Sequence, residues 1–89
     1  MPVRFPMGRV VATPNVLKAV SKAEIFAALQ RHQNCDWGDV SPDDKKTNDN
    51  AIRNKDRLFS AYHGKDGTKF WIITEWDRSA TTVLLPEEY

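Results

Sequence analysis

Residues 57–89 read RLFSAYHGKDGTKFWIITEWDRSATTVLLPEEY, and the way this third of the chain is divided decides the fold. Two apolar runs, Leu58 to Tyr62 and Phe70 to Trp76, flank Gly64-Lys65-Asp66-Gly67. Asp-Gly between β-formers predicts a hairpin, because a tight turn needs residues that tolerate positive φ. With Asp66-Gly67 as a two-residue turn, His63 faces Phe70, Tyr62 faces Trp71, Ser60 faces Ile73 and Leu58 faces Glu75, which puts Tyr62 and Trp71 on one face. The segment Lys69 to Trp76 is apolar on both faces and so suits a central strand. Asp77-Arg78-Ser79-Ala80 then turns it into a third antiparallel strand over Thr81 to Leu85, which Pro86 ends.

Upstream of this sheet the signals are helical. Ser41 as cap, Pro42 at the first position and Asp43 and Asp44 in the first turn open a nearly all-polar helix running to Asn54, whose only apolar residues are Ala51 and Ile52. It is expected to pack weakly, through its far end, and to be the most mobile ordered part. Ser21 and Glu24 form a capping box ahead of Ile25, Phe26 and Leu29, which gives a helix over Lys22 to about Gln33 with those three on its core stripe. Thr13-Pro14 starts a short turn of helix over Asn15 to Val20. Arg9 to Thr13 is β-branched enough to add an edge strand, and the two prolines in Met1 to Met7 suggest a surface arm. The sum is an α+β fold: two main helices on a three- to four-stranded antiparallel sheet that ends in a β-meander.

Composition narrows the functional classes. A chain of 89 residues suits one small domain with a single core. Lys and Arg number 13 against 12 Asp and Glu, a net charge of +1, so no whole-protein field draws the chain onto nucleic acid, although a local patch would still serve. Cys35 alone allows no intrachain disulfide. No run approaches the roughly 18 apolar residues of a membrane span, nor follows a secretory signal, so a cytoplasmic setting without membrane partners is expected.

Each candidate site has a structural alternative. Thr74, Glu75, Asp77, Arg78, Ser79, Thr81 and Thr82 crowd the second turn, where the Arg78 fork beside short hydroxyls can grip a phosphate or carboxylate. The simpler reading has Asp77 and Ser79 capping their own turn and Arg78 pairing with Glu75 or Asp77. His63, Glu75 and Arg78 are the candidates for acid–base chemistry, but the expected register sets His63 and Glu75 on opposite faces and several positions apart. Tyr62 with Trp71 offers either a stacking platform or ordinary cross-strand packing. Trp37, in the loop Asp36-Trp37-Gly38-Asp39, is either an interface anchor or a staple onto the core. His32 and Cys35 have H-x-x-C spacing, but a zinc site lacks two further ligands, and no cofactor is expected.

With DWGD at Asp36 to Asp39, RLFSAY at Arg57 to Tyr62, WIITEWDRSATTVLLP at Trp71 to Pro86 and a final Tyr89, the chain resembles a group of short uncharacterised bacterial proteins carried on plasmids and other mobile elements. The resemblance runs from Phe5 to Tyr89. Some members bear automatic names such as plasmid-related protein or type I restriction subunit M. A methyltransferase reading of the latter is contradicted here, since there is no glycine-rich cofactor loop after a strand and no Asn-Pro-Pro or Asp-Pro-Pro motif. The resemblance implies a setting rather than a mechanism. Helices followed by an antiparallel sheet are also the order of small ribonucleases of the barnase and RelE type, an analogy of architecture alone. The expectation is a small non-catalytic binding or regulatory protein with a protein partner, an inhibitor of host defence being one version. A small ribonuclease or toxin is the alternative, and a nucleic-acid binder a third. A monomer, or a homodimer through the exposed edge of the third strand, fits the sheet.

Overall fold

The computed structural model describes residues 5–89; the arm expected over Met1 to Met7 lies partly outside them. Within that range the chain is α+β. Its elements in order are β1 (Arg9–Ala12), α1 (Pro14–Ala19), α2 (Lys22–Gln33), α3 (Pro42–Asn54), β2 (Leu58–His63), β3 (Lys69–Thr74), β4 (Ala80–Leu84) and a 3-10 turn at Pro86–Glu88. The sheet order is β1-β4-β3-β2, so β3 is internal.

The sheet is mixed rather than antiparallel. β2-β3 and β3-β4 form the antiparallel meander, but β1 lies parallel to β4, with Val10 beside Thr81 and Ala12 beside Val83. β4, expected to be the exposed edge, is therefore covered. Parallel pairing needs a long crossover, and here the whole of α1, α2, α3, β2 and β3 supplies it.

The hairpin register differs from expectation by one residue. Tyr62 faces Phe70, His63 faces Lys69, Ser60 faces Ile72 and Leu58 faces Thr74. The loop has three residues, not two: the Gly67 N–H donates to the Gly64 carbonyl (2.9 Å), the Gly64 N–H donates to the Thr68 carbonyl (2.9 Å), and Gly67 sits at φ +86°. A type I turn closed by a left-handed glycine is the usual three-residue solution. Because side chains alternate, this shift parts Tyr62 from Trp71 and puts them on opposite faces. Lys69 to Trp76 is also shorter as a strand, ending at Thr74, and the Trp76 side chain is 64% exposed.

The helix starts follow the sequence closely. The Thr13, Ser21 and Ser41 hydroxyls accept from the backbone N–H groups of Val16, Glu24 and Asp44, each cap standing in extended backbone before its helix. α1 and α2 lay Val16, Val20, Ile25, Ala28 and Leu29 onto Tyr62, Phe70, Ile72 and Val83, forming the larger core cluster. Each buried Val, Ile, Leu or Phe side chain of this cluster stabilises the fold by roughly 1.5–3 kcal/mol. Phe26, expected on that stripe, is 67% exposed. At a 3.6-residue period Ile25 and Leu29 line up, while Phe26 is turned about 100° away.

A second cluster gathers Phe5, Trp37, Ala51 and Leu58 at the β2 edge. α3 is anchored at mid-helix as well as at its far end, because the buried Asn48 carboxamide both donates to the Phe59 carbonyl (2.5 Å) and accepts from the Phe59 N–H (3.1 Å). The Trp37–Asp39 loop takes the next backbone pair: the Ala61 N–H donates to the Trp37 carbonyl (3.1 Å) and the Asp39 N–H to the Ala61 carbonyl (2.7 Å). Gly38, at φ +73°, allows that approach, since a Cβ there would lie 2.1 Å from the Ala61 carbonyl oxygen. No described helix is long and apolar enough to cross a membrane.

Candidate functional site

Arg78 and Asp77 of the second turn are committed to the chain's own backbone. Arg78 stands at φ +60°, and its guanidinium donates to the carbonyls of Ala51 (3.0 Å), Asp56 (2.6 Å), Glu75 (3.1 Å) and Trp76 (3.3 Å). It therefore caps the C-terminal end of α3 and ties that end to the β3–β4 turn, using carbonyls rather than the expected Glu75 or Asp77 carboxylates. Desolvation lowers its pKa somewhat, against the pull of Asp56. The Asp77 carboxylate accepts from the Ser79 N–H (3.0 Å), and its bonds to Ser79 hold it below the usual carboxylate range.

Thr81 is fully buried in a polar chain that sequence reasoning missed. Both ring nitrogens of His32 are engaged, Nδ1 with Ser60 Oγ (2.6 Å) and Nε2 with Thr74 Oγ1 (2.8 Å). Thr74 Oγ1 meets Thr81 Oγ1 (2.7 Å), and the Thr81 hydroxyl donates to the Met7 carbonyl (2.8 Å). The last bond orients all the others. Since the Thr81 proton goes to Met7, Thr81 accepts from Thr74; Thr74 then accepts from His32 Nε2–H, and Nδ1 accepts from Ser60. The network thus fixes a proton on Nε2, and with the ring neutral Nδ1 is the acceptor for the Ser60 hydroxyl. Burial, helped by the nearby Arg78 charge, lowers its pKa to about 4, and the ring is 0% exposed with Phe5 and Trp37 against its edges. The signal for it was three hydroxyl residues, Ser60, Thr74 and Thr81, at positions whose neighbours in the alternation are apolar.

Trp37 is 2% exposed, stacked on Phe5, and its indole N–H donates to Asp49 (3.0 Å). It staples its loop to the core. Tyr62 is buried too, with its hydroxyl donating to the Asp36 carbonyl (2.7 Å) and its pKa pushed by burial to about 12.

The accessible groups collect elsewhere, around a cleft of about 310 Å³ lined by Asp39, Ala61, Tyr62, Lys69, Trp71 and Pro86. Trp71 stands on the sheet face away from α1 and α2, edge-on to Phe59 at 4.9 Å and to Tyr89 at 5.9 Å. Arg57 lies over the Tyr89 ring and donates to its hydroxyl. Asp39 of this lining holds exposed His63, Nδ1 to Oδ2 at 2.5 Å, and Lys69 lies directly across from His63 in the strand pair. Asp39 orients the imidazole so that Nε2 is left for solvent or a ligand. Glu75 plays no part in this group. By alternation it belongs to the same side as Lys69, not the opposite one, but six residues along, about 20 Å.

Among the described residues no cluster of three or more His, Cys, Asp or Glu side chains is placed to hold a metal ion. Comparison with protein-family models, curated proteins and solved structures gives no match to the chain.

Proposed function

We propose that this chain is a small non-catalytic binding or regulatory protein that acts in the cytoplasm by contact with another protein. Its setting is the plasmid or mobile element that the resemblance implies, and inhibition of a host defence system is the concrete form. The observation that carries this reading is the division of its polar groups. Arg78, Asp77 and Thr81 are tied into the fold, whereas Trp71, Lys69 and Asp39 line an accessible cleft with both signs of charge, Tyr89 standing against Trp71 and His63 on Asp39. An aromatic centre with a mixed polar rim is the composition of a protein-contact surface. A net charge of +1 favours it over a nucleic-acid interface. The test is recovery of a stoichiometric partner from the native host by tagged protein. Trp71→Ala and Lys69→Glu should abolish recovery without changing the circular dichroism spectrum; recovery unaffected by either change removes the cleft from the reading.

The Asp39–His63 pair favours a second reading, a small ribonuclease in which His63 moves a proton and Lys69 neutralises phosphate charge. Purified protein should then cleave RNA, with at least a hundredfold loss in His63→Ala. RNA left intact by the unaltered protein excludes that reading. Binding to nucleic acid without cleavage would show instead as affinity that falls steeply with salt.

A further inference from the structure

The free edge of the sheet is β1, and its two faces are not alike. In the parallel ladder with β4, the Arg9 N–H donates to Ser79 O and the Thr13 N–H to Val83 O, both at 3.0 Å. Residues 9, 11 and 13 therefore turn their backbone groups inward, and Val10 and Ala12 turn theirs outward, where no described residue meets them. Beside this edge runs an apolar groove of about 350 Å³, in which exposed Val10, Leu17 and Phe26 rim a floor that includes Leu29 and Val83. Its one charged lining residue is Lys22.

We propose that a second copy of this chain occupies that edge, joining β1 to β1 antiparallel about a two-fold axis at Val11. The edge is self-complementary in one register. With Val10 opposite Ala12 of the second copy, all four outward N–H groups and all four outward carbonyls of the pair are placed to form four hydrogen bonds. Centring the axis on Val10 instead would call on Gly8, whose φ of +64° takes it out of the extended chain. In the favoured register Arg9 comes beside Thr13 of the second copy. That Thr13 hydroxyl donates to Glu88 at 2.7 Å, so each guanidinium meets an opposite charge, twice per dimer. On the helical side the two apolar grooves abut, and Val10 of each copy packs beside Ala12 of the other. A foreign strand could use the same backbone groups, but this charge match recurs by symmetry only with a second copy.

The inference is independent of the Trp71 cleft, which lies towards β2. Sedimentation equilibrium of the full chain in low salt should show a monomer–dimer equilibrium. Val10→Pro removes an outward N–H without touching the ladder to β4, and it should raise the dissociation constant about thirtyfold or more, two of four bonds being lost. Arg9→Glu should raise it about tenfold by reversing both charge contacts. If Val10→Pro fails to fold, Arg9→Glu decides, because that side chain is exposed. A wild-type monomer at every concentration overturns the proposal, as does a dimer indifferent to the substitutions, and the first result would leave the edge to some other strand. Trp71→Ala should leave the dimer intact, so failure here and failure of the cleft reading are distinguishable.

Discussion

Along β2, the outward backbone groups of Phe59 are taken up by the Asn48 carboxamide and those of Ala61 by the Trp37–Asp39 loop, whereas along β1 those of Val10 and Ala12 meet no described residue. Exposed strand edges invite pairing with other chains, and proteins commonly cover them. Here one edge is closed by a polar helix and a tryptophan loop at the cost of burying an asparagine, while the other is left open beside apolar side chains. The difference teaches that coverage is selective. An edge covered so fully on one side gives meaning to the one that is not.

Substitutions should separate the two edges energetically. The largest loss belongs to Trp37→Ala, which empties the second core cluster and frees the loop; about 3–5 kcal/mol of stability should go, read from urea unfolding. Next comes acid. His32 holds its proton below about pH 4 in the folded chain but below its ordinary 6.5 when unfolded, so between those values the unfolded chain binds more protons. Stability is full above pH 6.5 and falls as pH drops through that window, by about 3 kcal/mol in all, and His32→Gln should flatten this part of the profile.

Asn48→Ala leaves the Phe59 N–H and carbonyl unpaired against α3 and should cost about 2–3 kcal/mol. Smallest is Val11→Thr, at an exposed site on β1, which should change monomer stability by no more than about 0.5 kcal/mol. If Val11→Thr unfolded the monomer as readily as Asn48→Ala, the open edge would be part of the core and the contrast would collapse.

How legible these features were in the sequence depended on how local they are. The caps at Ser21 and Ser41, the bounds of α2 and the presence of the hairpin are set within a few residues, and they were readable as such. The hairpin register was not, because Asp-Gly serves both two- and three-residue loops, and only Gly64 pairing with Thr68 decides between them. That one residue moved Tyr62 inward and left Trp71 outward. The parallel partnership of β1 with β4 was illegible for another reason. Alternation shows which residues share a face but carries no information about a partner some 70 positions away. At the site, His63 was visible as a candidate, but its partner Asp39 was not, since the two meet only after the Trp37–Asp39 loop docks on Ala61.

That same pairing of β1 with β4 has a consequence for the order in which the molecule can assemble. On the ribosome β1 is made some 70 residues before the strand that receives it. Until Ala80–Leu84 is available, β1 has no sheet to join, and Val83 is missing from beneath the α1–α2 layer. The contacts that complete the fold are thus among the longest-range in the chain, which slows closure and prolongs the exposure of apolar strands. Meanwhile β2 and β3 can zip locally. A nascent chain should therefore hold a formed hairpin and capped helices around an unfinished sheet, and become resistant to protease in a single late step.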